Sequence, residues 1–337
     1  MSDKIRIGMV GTGRIGKLHA QTLAQRVPGV ALVAVTDVNT AAAQAVAADV
    51  GVPTVAPSFD ALLADDSIQA VVIASATDTH APFIAQAAQA GKHIFCEKPI
   101  SADLKAIDEA LAAVERAGVK LMIGFNRRFD PSFKAVHDAI RAGEIGDLRQ
   151  VVITSRDPEV PPVAYMQVAG GLLRDMTIHD FDLARYLLGE EPLKVSCFAQ
   201  ALIAQEVKEL NDHDTAMIIM ETASGRQCCI NNYRRAVYGY DQRIEAIGET
   251  GMLKAENRRP NTLERWDEKA TGQKAPILHF FIERYQEAYN AEIQAFVDAV
   301  ETGKPMPVGF DDGRKALLLA NAAYRSLASG RAETVEA

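Results

Sequence analysis

A chain of 337 residues exceeds what one hydrophobic core usually organises, so two domains are the starting expectation. Its 48% apolar and 24% charged residues fit a folded globular chain, and a formal charge of −8, with the arginine pair Arg234-Arg235 standing isolated, speaks against nucleic acid as a partner. No apolar run approaches the roughly 20 residues a spanning helix needs, and Met1-Ser2-Asp3-Lys4 leads into a strand pattern rather than a signal peptide, so no membrane is expected and the location read from the sequence is cytoplasmic.

From Lys4 to about Phe125 short apolar, β-rich runs alternate with alanine-rich helical stretches. The strands are expected at Ile5 to Val10, Ala31 to Thr36, Ala70 to Ala74, His93 to Cys96 and Lys120 to Ile123, each short enough to be covered on both faces of a parallel sheet. Helices are expected over Arg14 to Gln25, Ala41 to Val50, Pro82 to Ala90 and Leu104 to Ala117, with Gly51, Gly91 and Gly118 as end signals. After a further helix from Pro131 to Arg141 the rhythm changes to strands: Leu148 to Ser155, Val195 to Leu202, Thr215 to Glu221, Arg226 to Asn232, Arg243 to Gly248 and Gly251 to Ala255. One helix from Gly171 to Leu188 interrupts them, and two more, near Phe281 to Glu301 and Asp311 to Ala328, close the chain. The fold class is therefore an α/β Rossmann domain with a parallel sheet over residues 1–125, followed over 126–337 by an α+β domain with a large, mostly antiparallel sheet, the C-terminal helix being free to pack back on the first domain.

The first loop carries the earliest chemical signal. Gly11-Thr12-Gly13-Arg14-Ile15-Gly16 follows a strand and opens a helix, the context in which the GxGxxG pattern denotes a dinucleotide site. The first glycine permits the turn, the second lets backbone approach the pyrophosphate, and the third allows close helix packing over a helix N-terminus that faces the phosphates. Asp37, at the end of the second strand, stands where a carboxylate accepts from both ribose hydroxyls, and the following Val38-Asn39-Thr40 offers no arginine for a 2′-phosphate, so NAD is expected rather than NADP.

Two further places could carry alcohol chemistry, which needs a base for the hydroxyl proton and a donor for the developing carbonyl. Glu97-Lys98-Pro99 lies at the carboxyl edge of the sheet, where a lysine can donate to a substrate oxygen or simply occupy a surface turn. Asp175, His179 and Asp182 recur at i, i+4 and i+7 of the expected Gly171 to Leu188 helix, where a carboxylate can orient an imidazole or where a buried pair can merely satisfy itself. Cys96, Cys197, Cys228 and Cys229 form no Cys-x-x-Cys pair, and His213 with Asp212 and Asp214 sits in a polar loop, so reduced thiols and no metal are expected.

With these motifs in this order, and with Gly124-Phe125-Asn126-Arg127-Arg128-Phe129-Asp130, Thr154-Ser155-Arg156-Asp157-Pro158 and Tyr238-Gly239-Tyr240-Asp241 added to Phe95-Cys96-Glu97-Lys98-Pro99, the chain resembles the Gfo/Idh/MocA oxidoreductase family, and within it the bacterial inositol-oxidising branch, essentially from end to end. The resemblance implies that His179 acts as general base, Asp175 orients it and touches substrate, and Lys98 binds the reacting hydroxyl. It implies further that Arg127, Asp157, Tyr238 and Tyr240 line a polyol pocket, that Ser75, Ala76, Thr77, His80, Glu97 and Lys98 border the cofactor, that the second domain binds substrate and makes the subunit contacts, and that the enzyme is a homo-oligomer, a tetramer above all. The expected reaction is NAD-dependent oxidation of a cyclic polyol, foremost myo-inositol to its 2-ketone. Another inositol isomer or a pyranose sugar is the alternative substrate, and a dinucleotide-sensing regulatory protein without turnover is the alternative of another class, one that would have no use for a base.

Overall fold

In the computed structural model, which describes residues 4–336, strand and helix alternate strictly at first: β1 (Ile5–Val10), α1 (Arg14–Gln25), β2 (Val30–Thr36), α2 (Thr40–Val50), β3 (Thr54–Val55), α3 (Phe59–Leu63), β4 (Ala70–Ile73), α4 (Thr77–Gln89), β5 (His93–Glu97), α5 (Leu104–Ala117) and β6 (Leu121–Gly124). A short 3-10 turn, Asn126–Phe129, leads into α6 (Pro131–Arg141), β7 (Leu148–Arg156), α7 (Val163–Ala169), α8 (Leu172–Asp175), α9 (Thr177–Leu188), β8 (Pro192–Gln200) and α10 (Gln205–Glu209). Strands β9 (Thr215–Thr222), β10 (Gln227–Tyr233), β11 (Asp241–Gly248), β12 (Met252–Ala255), β13 (Glu264–Arg265) and β14 (Gln273–Lys274) follow, and α11 (Phe281–Arg284), α12 (Gln286–Thr302), α13 (Phe310–Ser329) and β15 (Glu333–Thr334) complete the chain. Two units result: one ends at Phe129 and takes back Glu287–Lys315, the other comprises Asp130–Gln286 and the chain from Ala316 onward.

The first unit is built on a six-stranded, wholly parallel sheet in the order β3-β2-β1-β4-β5-β6. The order reverses between β1 and β4, which opens a crevice at the carboxyl ends of those strands. Helices cover both faces, so all four residues of β4 are fully buried and the strand reads as a continuous apolar run. Side chains of Asn39, Ser58 and Asp103 cap the N-termini of α2, α3 and α5. One boundary differs from expectation: α4 begins at Thr77, not at Pro82. The Thr79 amide and hydroxyl both return to the Ala76 carbonyl, at 2.9 and 2.6 Å, closing a turn ahead of the proline, which then removes one internal hydrogen bond without ending the helix.

The second unit carries a seven-stranded sheet in the order β12-β11-β7-β10-β9-β8-β15, antiparallel except where β10 runs parallel to β7. Helix α9 lies on β7 and β10, and Ile178, Phe181, Leu183, Leu187 and Leu188 are fully buried there. Along β9 the period of two buries Ala216, Ile218 and Met220 and leaves Met217 and Ile219 exposed on the outer face.

Two helices expected to be continuous are broken. The Gly171 to Leu188 stretch divides at Met176 into α8 and α9, with the His179 amide bonded back only three residues to the Met176 carbonyl. Asp175 and His179 therefore belong to different helices, and the single-helix stripe with Asp182 is corrected. The start of α8 is fixed at Gly171, whose φ of +86° only glycine takes readily, and where a Cβ would come within 2.4 Å of the Tyr324 hydroxyl and 3.0 Å of Asp212 Oδ1. Asp212 accepts from the Leu172 amide at 2.9 Å, which starts α8 at that point. The Phe281 to Glu301 stretch likewise divides at Tyr285, which is buried.

Candidate active site

The glycine loop and Asp37 are tied together in the first unit. Gly11, at φ +93°, passes so close to the end of β4 that a Cβ would stand 2.4 Å from the Ala74 backbone, and a Cβ at Gly16 would meet the Gly11 carbonyl oxygen at 2.1 Å. At Gly13 a Cβ would meet nothing within 4 Å, and no side chain caps α1 there. The loop is thus packed from below through two glycines and open above the third, where a helix N-terminus leaves room for an anion. Asp37 Oδ2 accepts from the Thr12 amide at 2.6 Å and hydroxyl at 2.9 Å, and its Oδ1 accepts from the Asn39 amide at 2.8 Å. Val38 projects fully into solvent beside it. These residues fit a dinucleotide: a rimmed anion site on a helix N-terminus with a half-buried carboxylate at the ribose position.

At the end of β4, Ser75 and Thr79 share a hydroxyl contact of 2.6 Å, while Ala76 is exposed and Thr77 half-buried at the head of α4. His80 is buried, its Nδ1 2.7 Å from the Pro99 carbonyl oxygen and its Nε2 3.1 Å from that of Ser75. Burial pulls this imidazole below its ordinary value, against the opposite pull of the two carbonyls. It ties the end of β4 to the turn after β5. In that turn the Lys98-Pro99 bond is cis, and Lys98 is half-buried between buried Glu97 and buried Pro99. Glu97 Oε1 lies 2.7 Å from His19 Nε2, and its Oε2 accepts from the Lys98 amide at 3.3 Å. Arg127 is buried in the 3-10 turn that follows β6.

The second unit holds a cluster that sequence reasoning only half anticipated. Asp175 and His179 are there, both half-buried. Asp175 Oδ1 accepts from the Tyr165 hydroxyl at 2.6 Å, and Oδ2 pairs with Arg234 Nη2 at 2.8 Å. Arg234 is 1% exposed and also stands 3.8 Å from Asp212 Oδ2, so this guanidinium is held between two carboxylates. Tyr165, Asp212 and Arg234 were not singled out as site residues. Arg234 nevertheless had a signal: the period of two that buries Cys228, Ile230 and Asn232 in β10 continues to it, putting an arginine on an apolar face. The residues grouped with His213 separate into structural roles, since Asp212 caps α8 and the fully buried Asp214 accepts from the Leu202 and Ile203 amides at 2.8 Å each.

Of the other expected pocket residues, Asp157 is half-buried and its backbone bonds Tyr233 and Ala236. Tyr238 is exposed; its hydroxyl donates to Asp241 Oδ2 at 2.8 Å and accepts from Arg156 at 2.9 Å. Tyr240 is buried edge-on against Tyr285 at 5.9 Å. All four cysteines are free thiols, with Cys228 buried and Cys229 half-buried on opposite faces of β10.

A parallel sheet that reverses between β1 and β4, a glycine loop open over a helix N-terminus and a carboxylate closing β2 together define a dinucleotide-binding α/β protein. The chain belongs to the Gfo/Idh/MocA family: residues 5–125 match the oxidoreductase family with an NAD-binding Rossmann fold, and residues 133–254 match the Gfo/Idh/MocA C-terminal domain. It is 48% identical to the inositol 2-dehydrogenase of Rhizobium meliloti over 97% of this chain and 98% of that protein. The crystal structure of a myo-inositol dehydrogenase from Corynebacterium glutamicum superposes with a TM-score of 0.94 at 40% identity, covering 99% of both chains. That of a scyllo-inositol dehydrogenase from Lactobacillus casei, with bound NAD(H) and scyllo-inositol, gives 0.92 at 30% identity, again over 99% of both. The first unit is accordingly an NAD-binding domain.

Proposed function

We propose that this protein oxidises myo-inositol at its axial hydroxyl to the 2-ketone, scyllo-inosose, with NAD as the acceptor. The observation that carries the reading is the likeness to an inositol 2-dehydrogenase across 97% of the chain, joined to the presence of Lys98, Asp175 and His179. Oxidation of the alcohol removes a hydride from carbon and a proton from oxygen. NAD, held by Gly11, Thr12, Gly13, Arg14, Ile15, Asp37 and Val38, supplies the two-electron acceptor when bound. His179 takes the hydroxyl proton on its imidazole. Asp175, paired with the Arg234 guanidinium, orients that ring, and the Lys98 ammonium donates to the oxygen as it gains charge. Arg127, Asp157, Tyr238 and Tyr240 are assigned to the remaining hydroxyls, and Ser75, Ala76, Thr77 and His80 to the nicotinamide side of the cofactor.

Asp157 favours a second reading of the substrate. A carboxylate only accepts hydrogen bonds, so it selects hydroxyls presented as donors and could admit scyllo-inositol, another isomer or a pyranose. Purified protein with NAD and a panel of myo-inositol, scyllo-inositol and glucose tests this: NADH absorbance is expected first with myo-inositol, and no turnover on any cyclic polyol would refute the substrate class. His179→Ala should abolish turnover and leave NAD affinity within about threefold, whereas loss of both would make the histidine structural.

We also assign the protein to the cytoplasm, in keeping with its four free thiols, and read it as a homotetramer. Phe198 and Met217 face each other across β8 and β9 on the outer sheet face, 72% and 51% exposed, with Ile219 beside them, an apolar patch of the kind that marks a subunit contact. Light scattering should give four subunits, and Phe198→Glu should reduce that number.

A further inference from the structure

Behind Lys98 the first unit gathers three buried titratable groups, of which only Glu97 has been named, as a residue bordering the cofactor. His19 of α1, Glu97 of β5 and Glu292 of α12 bring one nitrogen or oxygen atom each to within 4.8 Å of one another. His19 and Glu292 are fully buried, and Glu97 is 7% exposed. Phe95 and Tyr289 set their rings edge-on to the imidazole at 5.3 and 5.8 Å, and Phe296 packs on Phe95, so the cluster has aromatic walls. Neither carboxyl oxygen of Glu292 has a hydrogen-bond partner among the described residues. Glu97 differs: it has His19 at 2.7 Å and the Lys98 amide at 3.3 Å.

Two carboxylates cannot both be charged in such a place. Each buried ion without adequate partners costs several kcal/mol, and one imidazole cannot satisfy both. The negative charge belongs on Glu97, where the donors are. We propose that Glu292 is held as an un-ionised acid that donates its proton, directly or across one water, to Glu97, and that with His19 it fixes the end of β5 from which Lys98 projects. Glu292 is then a positioning residue for the reaction, acting through Glu97. Burial, and after it the charge of Glu97, both push the Glu292 carboxyl well above its ordinary value, in the same sense. Gly124 on the neighbouring strand leaves the room: a Cβ there would stand 3.2 Å from Glu97 Cδ.

The inference rests on the role given to Lys98, so its test has one arm independent of activity. Infrared difference spectra of the wild type and Glu292→Gln at pH 7 should show the C=O stretch of a neutral carboxylic acid that the variant lacks. Absence of that band, or a stoichiometric divalent cation in the isolated protein that Glu292→Gln removes, would overturn the proposal, since either result makes Glu292 ionised. In kinetics, Glu292→Leu deletes the donor and should lower kcat about tenfold with KM for NAD and the melting temperature held or raised, and Glu292→Gln should restore most of that loss. Full kcat in Glu292→Leu, or a fall in kcat matched by a fall in melting temperature, overturns the positioning role. Lys98→Ala separates the two ideas: if it keeps its kcat, the assignment of Lys98 fails and the positioning role with it, while the infrared band still decides the state of Glu292.

Discussion

The glycine loop of the first unit and the Asp175 cluster of the second are built by opposite means. The loop is built on backbone: a turn at the head of α1 packed close through Gly11 and Gly16 and open at Gly13, with Asp37 bonded to its Thr12 amide. The Asp175 cluster is made of side chains, with Tyr165 and Arg234 holding the Asp175 carboxylate and Asp212, from a third segment, sharing the arginine. A backbone site is local, so it survives most changes of neighbouring side chain and fails when a glycine is lost. A side-chain cluster depends on charge balance, and removing one partner leaves another charge buried.

The largest effect that can test this contrast is on chemistry alone. His179→Ala should lower kcat on the order of 10⁴-fold, at the upper end of what a positioned base contributes, with NAD titration unchanged; loss of NAD binding would erase the separation between the two regions. Arg234→Ala should destabilise the protein by about 3–5 kcal/mol in urea unfolding, because Asp175 and Asp212 lose their shared counterion. Gly11→Ala should cost about 2–3 kcal/mol, through its φ of +93° and the overlap with Ala74, and weaken NAD in calorimetry. Asp37→Ala should raise the NAD dissociation constant about tenfold, about 1.4 kcal/mol, leaving the unfolding midpoint nearly in place.

The smallest effect concerns pH. The folded Glu292 carboxyl is raised above its ordinary 4.5, so its contribution to stability is in place below that pH and is lost as pH rises toward the folded value, while the unfolded chain ionises freely. Glu292→Gln cannot ionise in either state. Its advantage in melting temperature over the wild type should therefore grow from about pH 4.5 upward, by at most about 1.4 kcal/mol per pH unit. A constant gap would mean that Glu292 is charged in the folded protein.

Periodicity and punctuation alone placed the elements up to β6 except β3 and α3, with α4 begun five residues late, because a parallel strand buried on both faces is a continuous apolar run. They also placed the GxGxxG loop and Asp37, since that site is written in one strand, one turn and the end of the next strand. The breaks at Met176 and Tyr285, the two-residue strands, the burial of Arg234 against Asp175 and the meeting of His19, Glu97 and Glu292 were decided by the tertiary structure. Each depends on residues far apart in the chain, such as Gly171 with Asp212 and Tyr324, or α1 with β5 and α12. Local sequence carries backbone preference and amphipathic period; which buried charge finds which partner is fixed only when distant segments close on one another and exclude water.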